Sequence, residues 1–103
     1  MTVKAQVKNL YEAVLVIKSS LSEVDIDNNI TQLENAIKSY GGNIVKIDEP
    51  VRKKFTHKIK SLKDGYYVSI LFNASPEVPN ILKRTLSISD NILRYIIVRK
   101  ETK

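Results

Sequence analysis

Strand-length apolar runs that alternate with helical stripes are the feature that most restricts how this chain can fold. Leu10–Lys18 is apolar and often β-branched at nearly every position, as in a central strand covered on both faces. Apolar residues then recur with helical spacing from the capping residue Ser22 to Tyr40. Gly41-Gly42 follows directly, where a helix would end. The first part of the chain therefore predicts a strand followed by a helix.

The middle of the chain predicts a long, bent strand and a hairpin. Asn43–Glu49 has the composition of a strand, and Pro50, which lacks a backbone N–H, indicates a kink at a sheet edge. The strand then continues to Ile59. The Lys63-Asp64-Gly65 segment contains an Asp-Gly pair and predicts the tight turn, and the next strand runs to Asn73.

The last third of the chain repeats the order helix then strand. Ser75-Pro76-Glu77 has the residues of a helix start, with Ser75 as the cap, and Ile92–Val98 reads as a final strand. The complete order is strand, helix, strand, strand, helix, strand, which is that of a ferredoxin-like fold of the α+β class. We predict a four-stranded antiparallel sheet with both helices on one face, and with Tyr66, Val68, Ile70 and Phe72 in the core.

The length of 103 residues is that of one domain. We expect a single domain over residues 1–103, with residues 1–9 as a flexible lead-in and residues 100–103 as a basic tail. The absence of cysteine excludes a disulfide scaffold, a thiolate nucleophile and cysteine-based zinc sites. No apolar run approaches the roughly 20 residues of a membrane span, and the first residues do not resemble a secretory signal. These features favour the cytoplasm.

The net charge of +6, from 17 basic and 11 acidic residues, points to a polyanionic partner. Basic side chains concentrate in the predicted edge strand, where they are suited to neutralise phosphates; an alternative role is to prevent aberrant edge pairing. The third-strand sequence GYYVSILF does not match the aromatic octapeptide of RNA-recognition domains. We therefore expect phosphate and shape contacts more than base stacking. The clustered cations are Arg52, Lys53, Lys54, Lys58 and Lys60.

Signals for catalysis are missing from the sequence. His57 is the only histidine and lies among lysines without a specified partner. Carboxylates near the first helix start suit the helix dipole more than a metal. Acylphosphatases share the predicted fold type, but their phosphate-binding loop is replaced here by Ser19-Ser20. We predict no enzymatic activity, no cofactor and no metal site.

Five segments, in order, resemble the family of bacterial small-subunit ribosomal protein S-six (S6). They are Tyr11-Glu12, Tyr40-Gly41-Gly42, the basic run Val51–Ile59, Gly65-Tyr66-Tyr67 and Asp90-Asn91-Ile92-Leu93-Arg94-Tyr95. The basic run departs from the family pattern at three positions, where Val51 replaces a glycine, His57 a tyrosine and Lys58 a proline.

The resemblance implies a structural, non-catalytic protein of the ribosome in the cytoplasm. It implies binding to the central domain of small-subunit rRNA as a heterodimer with ribosomal protein S-eighteen (S18), with no membrane association and no small-molecule substrate. The positions it suggests for rRNA contact are Lys8, Tyr11, Arg52, Lys53, Lys54 and Arg94. Those it suggests for the partner are Phe55, His57 and Ile59. The alternatives are a free-standing ferredoxin-like module that binds a protein or ligand and, third, an acylphosphatase-like enzyme.

Overall fold

Five strands and two helices follow one another along residues 8–100, the part of the chain that this computed structural model describes. They are β1 (Asn9–Lys18), α1 (Glu23–Ser39), β2 (Asn43–Ile47), β3 (Val51–Ile59), β4 (Leu62–Ala74), α2 (Val78–Ser87) and β5 (Ile92–Lys100). The α+β class and the ferredoxin-like order are confirmed. Of the predicted lead-in, residues 1–7 lie outside the described residues and Asn9 begins β1; of the predicted tail, residues 101–103 lie outside them and Lys100 ends β5.

The sheet has five strands where four are predicted, because the long strand at the edge is divided. β2 and β3 both pair with the same side of β4, β4 pairs with β1, and β1 pairs with β5, all antiparallel. Pairing on the β2 side stops at Ile47 and resumes at Val51. Pro50 lies in this interval, consistent with its missing N–H donor. The two segments occupy the edge position that the sequence predicts.

The first helix begins and ends where its sequence signals predict. The backbone N–H of Asp25 donates to the hydroxyl of Ser22, 3.2 Å away, which satisfies one of the free donors of the first turn. At the other end Gly41 has a φ of 82°, a left-handed conformation that favours glycine. The face of α1 that packs on the sheet consists of Ile26, Ile30, Leu33 and Ile37, all buried.

The hydrophobic core lies between the two helices and one face of the sheet. Alternate residues of β1 point into it, and so do alternate residues of β4, as the period of a strand requires. Of the predicted core residues, Val68, Ile70 and Phe72 are at most 1% exposed, whereas Tyr66 is half-buried and packs against the core from its border. The remaining strand residues of the core are Tyr11, Ala13, Leu15, Ile17, Ala74, Ile92 and Ile97.

The second helix begins later than the sequence predicts, and Ser75 is not its cap. α2 begins at Val78 with Glu77 as the N-cap residue, and no side chain caps it. The carbonyl oxygen of Ser75 instead accepts a hydrogen bond from the N–H of Val78, at 3.0 Å, within a turn that precedes the helix. Pro79 is tolerated in the first helical turn because its missing N–H would have no partner there.

The prediction of a hairpin turn at Lys63-Asp64-Gly65 is wrong. The turn is formed by Lys60 and Ser61, with φ values of 49° and 68°, and Asp64 and Gly65 lie within β4. Positive φ at both central residues is the geometry of the tight hairpin turn that Asp-Gly would normally supply. Lys54 pairs with Asp64, and Ile59 pairs with Leu62. Residues 55–58 therefore form a bulge opposite the single residue Lys63.

Candidate nucleic-acid interface

Strand register brings most of the predicted rRNA contacts to one end of the sheet. Val51 of β3 pairs with Tyr67 of β4, Tyr67 with Val16 of β1, and Val16 with Arg94 of β5. These four residues form one row across the sheet. The three basic residues at 52–54 follow Val51 directly along the edge strand, and all three are exposed. Basic side chains from β3 and β5 therefore border the same end of the sheet.

The side chain of Arg52 is held by the carboxylate of Asp64, a residue that the sequence predicts to lie in a turn. Its Nε donates to Oδ2 of Asp64 at 3.0 Å, and its Nη2 lies 2.9 Å from the same oxygen. The hydroxyl of Ser19 donates to Oδ1 of Asp64 at 2.7 Å. Hydrogen bonds from Ser19 and Arg52, together with the charges of Arg52 and Lys54, hold the pKa of the Asp64 carboxyl below its ordinary value. Arg52 remains 59% exposed and keeps further N–H donors for an anion.

Lys53 lies on the face of the sheet that carries no helix, above an aromatic ring. Its Nζ is 5.3 Å from the ring centroid of Tyr67, a cation–π contact. The rings of Tyr67 and Phe55 meet edge to face with centroids 6.3 Å apart. Phe55 in turn lies against Gly65, since a Cβ at that position would be 2.9 Å from Cζ of Phe55 and 2.9 Å from the carbonyl oxygen of Ile17. The glycine therefore permits close packing within β4, which explains why it is not available for the turn.

Lys8 and Tyr11 lie at the opposite end of β1 from the basic edge strand. Tyr11 pairs with Phe72, whereas Ile17 pairs with Tyr66 beside Arg52. Ile17 lies six positions after Tyr11 along the strand, a distance of roughly 20 Å. Tyr11 is only 7% exposed and its ring centroid lies 5.7 Å from that of Phe72. Its ring is therefore packed in the core and not free to stack on a base, and Lys8 is exposed.

The predicted partner residues lie on and beside the bulged part of β3. Phe55 is half-buried through its packing on Tyr67, Ile59 is half-buried beside the turn, and His57 is exposed. Between Lys54 and Ile59 the register with β4 shifts, and residues 55–58 have no register partner in that strand. His57 makes no side-chain hydrogen bond or ion pair with any residue in 8–100.

Ser19 and Asp64, which position Arg52, are functional residues that the sequence does not indicate. The sequence predicts Asp64 only as a turn residue, and Ser19 only as part of the short link that replaces a phosphate-binding loop. The two residues are 45 positions apart, so no local pattern in the sequence indicates that they meet. A basic strand followed closely by one acidic residue is the only available signal, and it did not distinguish a turn from an ion pair.

Residues 8–100 show neither a metal site nor a membrane span. They contain no group of three or more histidine, aspartate or glutamate side chains placed to hold a metal ion. No helix among them combines the length and the apolar character needed to cross a membrane. The arrangement as described is a surface of exposed cations fixed by a carboxylate and by aromatic rings, which suits binding of a polyanion.

A comparison with models of known protein families identifies the chain. The model described as Ribosomal protein S6 matches residues 10–99. The chain belongs to the ribosomal protein S6 family. It is thus a small-subunit ribosomal protein, located on the ribosome in the cytoplasm, and the resemblance proposed from five sequence segments is confirmed. The family is one of ribosomal structural proteins.

Curated relatives of the S6 family match nearly the full length of the chain. The small ribosomal subunit protein bS6 of Heliobacterium modesticaldum is 32% identical over 91 residues, covering 88% of this chain and 95% of that protein. The protein of the same name from Caldanaerobacter subterraneus is 36% identical, again over 91 residues, and the match covers 88% and 96% of the two chains.

Solved structures support the same fold. The crystal structure of 30S ribosomal protein S6 from Thermotoga maritima superposes with a TM-score of 0.86 at 22% identity, covering 91% of this chain and 89% of that one. The P2 domain of the chemotaxis kinase CheA, from the same organism, superposes with a TM-score of 0.61 at 13% identity. Because the second protein has a different role, the fold alone does not identify an S6 protein.

Proposed function

We propose that this protein binds the central domain of small-subunit rRNA as a heterodimer with ribosomal protein S18, as a structural and non-catalytic component. The observation that carries the proposal is the basic end of the sheet. Arg52, Lys53 and Lys54 are exposed in sequence along an edge strand, and Arg94 borders the same end from the opposite edge. For a protein of the S6 family, rRNA is the polyanion that such a surface would bind.

Two of these cations are held in place before any RNA binds. Asp64 orients the guanidinium of Arg52, and the ring of Tyr67 supports the ammonium of Lys53. A side chain that is already ordered loses less conformational freedom on binding, so each contact contributes more to affinity. Arginine can also present two parallel N–H groups to a phosphate, which lysine cannot. These cations are therefore suited to fix the position of the RNA backbone.

The predicted contacts at Lys8 and Tyr11 would bind a second region of the RNA. They lie roughly 20 Å from the basic edge strand along β1. Since the ring of Tyr11 is packed against Phe72, we propose that only its hydroxyl group meets RNA. That hydroxyl already accepts a hydrogen bond from Nδ2 of Asn9 at 3.2 Å. RNA bound at both places would follow the length of the strand.

We propose that S18 docks on the bulged segment of β3. An edge strand presents free backbone N–H and C=O groups that an extended segment of another protein can pair with. Residues 55–58 have no register partner in β4. His57 is exposed there, and Phe55 and Ile59 supply half-buried apolar surface on either side. The segment therefore offers both hydrogen-bonding groups and apolar contact to S18.

Salt-dependent binding to RNA tests the first part of this proposal. The Lys53→Gln/Lys54→Gln double variant removes two charges from the edge strand and keeps the length of both side chains. Lys38→Gln/Lys83→Gln removes the same charge from exposed positions on the helices. Affinity for an rRNA central-domain fragment is measured with S18 present at several potassium chloride concentrations. We expect weak binding by the chain alone and tight binding with S18.

The edge-strand variant should reduce the slope of log affinity against log salt by about 1.4–1.8, since each of the two lost phosphate contacts contributes roughly 0.7–0.9. The helix variant should leave the slope unchanged. Equal losses in both variants would show that only total charge matters and would contradict the proposed site. Absence of measurable binding by the wild-type heterodimer would refute the proposed function.

Calorimetric titration of S18 into the chain tests the partner surface. We expect His57→Glu, in the bulged segment, to weaken binding of S18 by about tenfold, because it places a charge in the contact. Gln32→Glu introduces the same charge on the exposed side of α1 and should have no effect. Equal affinity of S18 for both variants would place the partner elsewhere on the molecule.

A further inference from the structure

A groove of about 380 Å³ lies between the hairpin turn and the start of β5. Its lining comes from three parts of the chain that are distant in sequence: the β3–β4 turn, the end of α2 and the first residues of β5. The residues that matter for its chemistry are Lys60, Leu86, Ile92, Leu93, Arg94 and Tyr95. None of the residues in the bulged segment or at 52–54 contributes to it.

Aliphatic side chains form much of the inner surface of the groove, with Ser87 as a neutral polar residue beside them. Leu86, Ile92 and Leu93 are each 6% exposed, so the groove reaches down to side chains that are otherwise buried. Tyr95 adds a partly exposed aromatic ring. An aromatic ring beside apolar side chains suits an unstacked nucleobase that has left an RNA helix.

The rim of the groove is cationic. Lys60 and Arg94 are both exposed, and neither forms a salt bridge within the part of the chain that the structure describes. No acidic residue lines the groove. Two positive charges on one rim repel each other, and an anion bound between them would relieve that repulsion. The complementary ligand therefore carries a negative charge next to an apolar, flat group.

The position of Lys60 follows from the displaced hairpin turn. Asp64 is held by Arg52 and Ser19, and Gly65 packs beneath Phe55, so neither residue is free to form the turn. The turn forms at Lys60-Ser61 instead, in a left-handed conformation that non-glycine residues rarely adopt. Backbone strain of this kind occurs frequently where function requires a particular geometry. Here it places a lysine beside the first residues of the last strand.

We propose that this groove binds one unpaired nucleotide of the RNA. The base lies on the apolar inner surface against the ring of Tyr95, and the phosphate lies between Lys60 and Arg94. A volume of about 380 Å³ is near the lower end of the roughly 300–1,000 Å³ typical of small-ligand sites. This inference rests on the proposed function, and it adds a site that recognises a base to a surface that otherwise contacts phosphates.

A nuclear magnetic resonance titration of the whole chain tests the site directly. The probes are the four nucleoside 5′-monophosphates, ribose 5-phosphate and the uncharged nucleosides, each added to ¹⁵N-labelled protein. We expect nucleotides to shift the amide signals of Lys60 and of residues 93–95 in a saturable manner. Ribose 5-phosphate and the nucleosides each lack one half of the ligand and should bind at least several-fold more weakly.

Two lysines on the same hairpin supply a matched comparison. Lys60→Gln removes a rim charge and should raise the nucleotide dissociation constant roughly two- to fivefold, the effect of losing one exposed charge pair. Lys63→Gln removes the same charge from an exposed strand position that does not line the groove, and should have no effect. Tyr95→Leu should weaken binding of nucleotides but not of ribose 5-phosphate, and its melting temperature shows whether the fold is intact.

Three results would overturn the inference. They are equal affinity for ribose 5-phosphate and nucleotides, signal shifts outside the groove, and equal effects of the two lysine variants. Binding of the rRNA fragment by the heterodimer is measured in parallel. If the fragment binds while the groove shows no shifts, only this inference fails; if the fragment does not bind either, the proposed function fails with it.

Discussion

The helix-covered face of the sheet and the β3–β4 hairpin share a strand but are stabilised in different ways. On the helix-covered face Val68, Ile70 and Phe72 of β4 are buried among apolar side chains of β1 and of both helices. Further toward the hairpin, the same strand carries Asp64 and Gly65, each with a few specific contacts to distant residues. The core therefore depends on total apolar volume, whereas the hairpin depends on individual pairs.

Loss of apolar burial on the helix-covered face should produce the largest change in the free energy of unfolding. Ile70 is fully buried on the helix-covered face, and Ile96 is 55% exposed in β5. We expect Ile70→Ala to lower the free energy of unfolding by about 2–5 kcal/mol, because it leaves a cavity. Ile96→Ala should change it by less than about 1 kcal/mol. Urea denaturation of both variants measures the difference, and similar losses would show that the open face is also part of the core.

A smaller effect is expected at Gly65, where the hairpin is packed most closely. An alanine Cβ would lie 2.9 Å from both Ile17 and Phe55. Gly65→Ala should therefore lower the free energy of unfolding by about 1–3 kcal/mol through overpacking. Phe55→Leu should relieve part of that loss in the double variant. Gly41→Ala is the control, since the strain there arises from a φ of 82° with nothing within 4 Å, and Phe55→Leu should not relieve it.

The smallest effect is expected from the Arg52–Asp64 pair, and it should depend on pH. The pKa of Asp64 is lowered in the folded state, first by the hydrogen bond from Ser19 and then by that from Arg52. The folded state then binds fewer protons than the unfolded state as the carboxyl titrates. The stabilisation is present above the unfolded pKa of about 4 and is lost as pH falls through the folded value.

Thermal denaturation between pH 6 and pH 2.5 measures this dependence. The melting temperature of the wild type should exceed that of Asp64→Asn at pH 6, and the two should converge as pH falls. Asp90→Asn, in an exposed turn, is the control and should follow the wild type. A difference between wild type and Asp64→Asn that stays constant down to pH 2.5 would show that the charge of Asp64 does not stabilise the hairpin.

Local pattern was sufficient to predict the elements whose stability comes from burial. The first helix, from its Ser22 cap to Gly41, follows from spacing and end signals within about 20 residues of chain. The faces of β1 and β4 follow from the two-residue period of a strand. The resemblance of five short segments was sufficient to identify the family.

The hairpin could not be predicted in the same way, because its geometry depends on contacts between distant residues. The Asp-Gly pair has the local propensity for a turn. In the structure, however, Ser19 and Arg52 hold Asp64 within β4 through hydrogen bonds, and Phe55 packs against Gly65 in the same strand. Likewise, serine is a residue that frequently caps helices, but Ser75 lies in the turn before α2. For the candidate site, the sequence identified the cations at 52–54 but not the carboxylate that orients Arg52.

Sedimentation of cell extract through a sucrose gradient tests the central claim most directly. Wild-type chain and the Lys53→Gln/Lys54→Gln variant are each followed at low and at moderate salt. We expect the wild type to migrate with the small ribosomal subunit at both salt concentrations, and the variant to be released at moderate salt. If the wild-type chain stayed at the top of the gradient at both concentrations, the proposed binding to rRNA would be refuted and a free-standing module would be favoured.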